Sequence, residues 1–379
     1  MKLSRRHFLT NIAILSSGCT LEVLAKTDLS NIKSPMKLIC IEEHIQSPAL
    51  ARASMSAMLQ QAPYLADWGK DVTDQADNID RPRVIAAEQS LAKLVDIDGN
   101  RLKEMNAQGI DMQILSYAGM PHLIDGQNSL DLIKQANDQL AQKVKQHPNR
   151  FAGFAILPWR DVEASLVELE RCVNQLDLKA VLISGRPSED FLDHERYLPV
   201  LAKLNELQVP LFLHPGFPYP QVQQAYYRGF NREVSARLSM FGWGWHNEAG
   251  IQLIRMILAG IFDKFPDLNV ISGHWGELVP YYLQRLDDSI PQQATGLKRT
   301  IAQTLRDQVY VTPSGMLSLP HFEFIRSVVG TDRILYSIDY PYLSLNGARE
   351  WIECLPISRE EKEKIAFRNA VRLFKLKFE

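Results

Sequence analysis

The 379-residue chain predicts an α/β fold, a (β/α)8 TIM barrel, on three observations. Short apolar, β-branched runs recur along it from Lys37 onward. Most of these runs are continuously apolar instead of alternating, which marks strands buried on both faces and hence a parallel sheet. Between them lie longer segments whose apolar residues recur at three- and four-residue steps, the period of a helix buried along one face. An open doubly wound sheet is the competing architecture, but no G-x-G-x-x-G follows the first run.

Eight candidate strands follow in order: LICIEEH (38–44), MQILSYA (112–118), FAGFAILP (151–158), AVLISG (180–185), PLFLHPG (210–216), NVISGHWG (269–276), VYVTPSG (309–315) and ILYSIDYP (334–341). The helical period is clearest in LDLIKQANDQLAQKVKQ, where Leu130, Ile133, Ala136, Leu140 and Val144 share one face. It recurs in VEASLVELERCVNQL, LPVLAKLNELQ, IQLIRMILAGIFDKFP and REEKEKIAFRNAVRLFKL. Two stretches exceed ordinary connections: residues 45–111, and the aromatic- and glycine-rich residues 217–247. Both follow strands, so in a barrel they rise over the C-terminal face, where active sites are built. They are expected to supply lid and substrate walls on one catalytic domain, residues 36–379.

Residues 1–35 are expected to be an export signal and linker. MKLSRRHFLTNIAILSSGCTLEVLAK has a basic start, a short apolar stretch and small residues beyond it. Its apolar part is too short to span a bilayer. Arg5-Arg6 in SRRHFL resembles the twin-arginine address, which implies a periplasmic protein cleaved after Ala25; lipid attachment at Cys19 is the weaker alternative. Cys40, Cys172 and Cys354 are too few and too dispersed for a disulfide framework and read as buried apolar residues. With 42 basic and 44 acidic residues, the chain has neither a nucleic-acid footprint nor an acidic tail. The expected partner is a small molecule.

The chemistry collects at strand ends. Glu42 and His44 end the first predicted strand, His214 the fifth, His274 the sixth and Asp339 the eighth, all at one mouth of the barrel. Buried carboxylates are costly unless paired or bound to a cation, so this convergence calls for a divalent metal. Imidazole and carboxylate together suit Zn2+, and a carboxylate-rich set admits Mn2+. Residues i and i+2 of a strand share a face, so Glu42 and His44 point to the axis, with Cys40 packed deeper on that face, while Glu43 points away. Glu277, three residues past His274, can orient that imidazole or relay a proton. Arg285, on the following helix, is a candidate clamp for a substrate carboxylate, and Ser314 a floor residue. His122 and His246 are placed where either could touch substrate.

IEEH, LHPG, GHWGELVPYYLQRLDD, VTPSGM and DRILYSIDYPY together resemble the metal-dependent amidohydrolase-2 decarboxylases, in particular those acting on hydroxybenzoates such as γ-resorcylate. The likeness extends over nearly all the chain after residue 36. It implies the barrel fold, one Zn2+ or Mn2+ held by Glu42, His44, His214 and Asp339, and His274 with Glu277 beside the substrate. It also implies a homodimer or homotetramer, and non-oxidative decarboxylation of a hydroxylated aromatic carboxylic acid with Asp339 as proton donor. Glu-x-His in the first strand, where many superfamily members carry His-x-His, favours decarboxylases over hydrolases. The competing expectation is a hydrolase that opens a lactone or amide with metal-activated water and Asp339 as base; export favours it.

Overall fold

Apolar runs become strands wherever both faces of the chain can be covered. In the computed structural model, which describes residues 35–69, 87–124 and 129–378, seven such strands are assigned. They are β1 (Ile39–Ile45), β2 (Met112–Tyr117), β3 (Phe151–Ala155), β4 (Ala180–Ser184), β5 (Leu211–His214), β6 (Val270–Ser272) and β7 (Val309–Val311). The sheet runs β1 to β7 in chain order with every neighbouring pair parallel. Parallel neighbours require crossovers. These include α1 (Ser129–Gln146), α2 (Val162–Asn174), α3 (Leu198–Leu207), α4 (Gly244–Leu258) and α5 (Ile301–Gln308).

The eighth predicted strand is not assigned as one. Residues 334–338 instead make an isolated parallel bridge from Ile334 to Val311. Leu335 N donates to Val311 O at 2.9 Å, and Ile41 N donates to Tyr336 O at 3.0 Å, so the segment touches both β7 and β1. β6 and β7 are also shorter than expected, and His274 falls outside β6.

The apolar core is built from alternate strand residues, among them Ile39, Ile41, Met112, Ile114, Phe154 and Phe212. The terminal helix Asn369–Phe374 joins it, with Phe374 5.4 Å from Phe154 between ring centroids. Each such buried side chain contributes about 1.5–3 kcal/mol. Cys40 and Cys172 are buried as expected, whereas Cys354 is exposed.

The stretch between β1 and β2 is less irregular than its sequence suggests, because it contains the helices Pro48–Gln61, Ala87–Val95 and Asn100–Ala107. The expected export signal, with Arg5, Arg6 and Cys19, lies outside the described residues, as do residues 70–86 of this stretch. Among the described residues no helix is long and apolar enough to cross a membrane.

Candidate metal centre

The site begins with an irregularity in β1. Cys40 pairs with Gln113 and Glu43 with Leu115, so three residue steps on β1 face two on β2. This bulge changes the phase of the strand. Below it, Ile39 and Ile41 belong to the interior cluster; above it, Glu42 and His44 reach the mouth. Cys40 is therefore not on the face of Glu42, as plain alternation predicts, and its electrostatic neighbours are Glu43, Arg349 and Asp111.

Glu42, His44, His214 and Asp339 each bring one ligand atom to a common point, all within 4.8 Å of one another. His44 Nε2 lies 3.0 Å from Asp339 Oδ1, and His214 Nε2 lies 3.9 Å from Glu42 Oε1. The two imidazoles meet edge to face at 5.0 Å. Glu42 Oε1, His44 Nε2 and Asp339 Oδ1 are buried and have no hydrogen-bond partner. Buried polar atoms rarely go unpartnered, and three converging on one point fit a divalent cation with nitrogen and oxygen ligands.

The far sides of three of these candidate ligands, Glu42, His44 and His214, are engaged. Ser314 Oγ donates to Glu42 Oε2, and Ser337 Oγ donates to the same atom at 3.2 Å. His44 Nδ1 is 3.2 Å from Ser116 Oγ. His214 Nδ1 lies 3.0 Å from the Pro215 carbonyl, which can only accept, so this nitrogen carries the proton and Nε2 keeps its lone pair. Burial lowers His44 to about 3 and holds His214 well below its usual value, so both are neutral. Burial raises Glu42 to about 8, against the pull of His274, and raises Asp339 to about 7. Neutral histidines and reluctant carboxylates mark a pocket short of positive charge.

His274 and Glu277 sit beside this cluster on an unusual backbone. His274, Trp275, Gly276, Glu277 and Leu278 all have positive φ, from 46° to 85°. Each left-handed non-glycine residue costs about 1–2 kcal/mol. The turn is pinned by His274 N donating to Ser314 Oγ at 2.8 Å, Trp275 N to Thr312 O at 2.9 Å, and Trp275 Nε1 to Met316 O at 2.8 Å. Ser314 and Asp339 are left-handed too, so six of the nine such non-glycine residues among the described residues gather at this mouth. Strain concentrated in this way marks a functional site.

Glu277 is shared between two imidazoles: Oε1 is 2.7 Å from His274 Nδ1, and Oε2 is 2.8 Å from His246 Nδ1. Burial works against ionising His274, but Glu277, Glu42 and Asp339 outweigh it and raise it to about 9. Burial likewise opposes the charge on Glu277, and the two histidines outweigh it, leaving the carboxyl at about 2. In the metal-free protein these carboxylates favour the cationic form of His274, whose ring lies 6.4 Å from that of His214 between centroids.

The cluster forms one end of a cavity of about 1050 Å3, its open mouth included. The insertion after β1 supplies Met58, Leu65 and Trp68 to its walls, and the insertion after β5 supplies Phe241 and Trp245. His274, His246 and Ser314 also line it. Arg285 does not. It is exposed, two residues from the buried Leu283 of the helix Val279–Ser289, which turns it away from the core. His122 is buried beside a separate small cavity with Arg160 and Arg186.

Glu43 points away from the cluster, yet it is buried, not solvated. Its carboxyl accepts from Ile338 N at 3.0 Å and Gln113 Nε2 at 3.2 Å, and burial raises its pKa well above the usual range. Beside it Arg101, which nothing in the sequence singled out, is fully buried; it donates to the His44 carbonyl and to Gln113 Oε1 at 3.0 Å, and stacks on Tyr340. Together these groups anchor the end of β1 from behind.

The same chain matches the Amidohydrolase family model over residues 85–376. It is 32% identical to Decarboxylase orsB of Emericella nidulans, over 89% of this chain and 97% of that one. It is also 32% identical to the gamma-resorcylate decarboxylase of a Rhizobium species, over 75% and 89% of the two chains. The crystal structure of a dihydroxybenzoic acid decarboxylase from Polaromonas, with bound manganese and the inhibitor 2-nitroresorcinol, superposes with a TM-score of 0.76 at 29% identity, covering 90% of this chain and 97% of that one. With the family model matched over most of its length and near-full-length relatives above 30% identity, this chain belongs to the amidohydrolase family.

Proposed function

We propose that this chain is a carboxy-lyase that removes carbon dioxide from a hydroxylated aromatic carboxylic acid, with one divalent metal held by Glu42, His44, His214 and Asp339. The observation that carries the reading is the set of orphaned ligand atoms at the end of an apolar cavity, in a chain whose relatives are hydroxybenzoate decarboxylases. Manganese in the Polaromonas enzyme makes Mn2+ the first ion to test, with Zn2+ second. When bound, the metal supplies positive charge that holds and polarises the substrate's carboxylate and neighbouring hydroxyl oxygens.

The chain's own groups do the rest. His274, kept cationic by Glu277, attracts the anionic substrate, and the apolar walls exclude water from the ring. Asp339 delivers a proton to the carboxyl-bearing ring carbon. The bond from that carbon to the carboxylate then breaks, carbon dioxide departs, and the bonding pair restores the aromatic ring. No electron acceptor enters the balance.

The test is carbon dioxide release by metal-loaded protein from a panel of dihydroxybenzoates. Release from none of them at full metal occupancy overturns the reading. Oxygen-18 water separates it from the hydrolytic alternative, because only hydrolysis places solvent oxygen in the product.

Three finer readings accompany it. Residues 334–338 act as the eighth strand that closes a TIM barrel, supported by their bonds to β7 and β1. The layout of residues 1–26 supports twin-arginine export to the periplasm. A homodimer or homotetramer is the expected assembly, with the helix Val279–Ser289, whose Tyr281 and Tyr282 are exposed, as the candidate contact.

A further inference from the structure

The cavity is sharply two-sided. Its ionisable groups, His44, His214, His246, His274, Asp339 and Tyr342, gather at the metal end, and no lysine, arginine or glutamate lines it among the described residues. The other walls include Met58, Leu65 and Trp68, then Met120 after β2, then Met240 and Phe241. The two insertions pack on one another there, with Trp68 and Phe241 rings 5.0 Å apart.

Apart from the indole N–H of Trp68, the six side chains named offer no donor, so a second carboxylate or a hydroxyl directed at that wall loses water at a cost of about 1–3 kcal/mol or more. An apolar group would gain instead. The cavity runs from the metal end to this apolar wall and opens to solvent. Three of the six wall residues named are methionines, whose unbranched thioethers adapt to a flexible apolar partner better than rigid side chains do.

We propose that the substrate carries an alkyl arm on its ring, several carbons long, which lies against Met58, Leu65, Trp68, Met120, Met240 and Phe241 while the carboxylate faces the metal end. This rests on the decarboxylase reading and adds the substrate class. The arm takes no part in bond making. It supplies binding energy remote from the reacting carbon.

The experiment compares 2,4-dihydroxybenzoate with its 6-methyl, 6-propyl and 6-pentyl derivatives on the manganese-loaded full chain, and titrates the corresponding resorcinols by calorimetry. The expected result is a rise in kcat/KM of about fourfold per added methylene, with a parallel rise in resorcinol affinity. Carbon dioxide release that is flat or falling with chain length overturns the alkyl arm and leaves decarboxylation standing. Release from no acid overturns the reaction, and calorimetry then decides the pocket: affinity that climbs with chain length supports it, and flat affinity sinks it. Met58→Gln and Leu65→Gln, both at partly exposed positions, are each expected to reduce the gain per methylene. An undiminished gain in both folded variants overturns the assignment of the arm to this wall.

Discussion

His44 Nε2 stands 3.0 Å from Asp339 Oδ1, and although both atoms are buried neither makes a hydrogen bond. Such a juxtaposition is stable when both lone pairs point at one cation. Asp339→Asn keeps the shape and removes the charge. It is expected to lower metal affinity and decarboxylation by more than about 100-fold, beyond the range usual for groups that merely support a ligand. Metal content by mass spectrometry and carbon dioxide release check it; a fully loaded, active variant contradicts the ligand set.

The two neighbouring glutamates of β1 should separate cleanly. Glu42→Gln removes a candidate ligand and should weaken metal binding markedly. Glu43→Gln changes a carboxyl that points away from the cluster and whose charged form burial disfavours, so metal stoichiometry should stay unchanged while disturbance of its bonds to Ile338 and Gln113 costs about 1 kcal/mol. Calorimetric metal titration beside thermal melting distinguishes them, and equal losses of metal in both would refute the division.

The His274–Glu277 pair predicts a pH window for the metal-free protein. His274 is raised from 6.5 to about 9, so its contribution is complete below pH 6.5 and lost as pH climbs through 9. Glu277 is lowered from 4.5 to about 2, so its contribution is complete above pH 4.5 and lost as pH falls through 2. The stability difference between wild type and Glu277→Gln should therefore be largest between pH 4.5 and 6.5 and shrink toward pH 9. Urea denaturation across that range measures it; a difference that grows above pH 7 contradicts the ion pair.

His246 touches Glu277 and shares the face of His274, with ring centroids 4.3 Å apart. Removing it leaves one carboxylate oxygen of Glu277 without its imidazole. His246→Ala should lower kcat by about 10-fold, an effect of the size seen on losing a supporting hydrogen bond, with metal content intact. The pH profile of kcat should shift as well, a readout that simple loosening of the fold would leave in place.

Arg285 is exposed on the outer side of its helix. Arg285→Ala should change stability by less than about 0.5 kcal/mol and leave KM for the acid unchanged. A KM rise of 10-fold would restore the carboxylate clamp that the sequence suggested.

Parallel strands were readable because burial on both faces leaves unbroken apolar runs, and the ligand candidates because ionisable residues are conspicuous at the ends of such runs. Other features had no local signature. Arg285 misled because helical rotation carries it about 200° from Leu283, and a motif-based reading does not track that angle. Arg101 looked like any surface arginine; its partners His44, Gln113 and Tyr340 come from other segments of the chain. HWGEL contains a single glycine, so nothing advertises that its other four residues also adopt left-handed backbone. Their conformation is imposed by Ser314, Thr312 and Met316 from forty residues away. His246 went unranked for a similar reason, since its contact with Glu277 spans 31 residues.

The extra residue in β1 lets one short strand answer to two masters. Below it, side chains can drift among apolar residues to suit the packing; above it, the Glu-x-His spacing stays fixed on the candidate metal cluster, and a change in one half does not propagate its parity to the other. For anyone transplanting this centre onto a regular barrel, the unit to move is therefore not the two ligands but the segment from Cys40 to His44 with its surplus residue included.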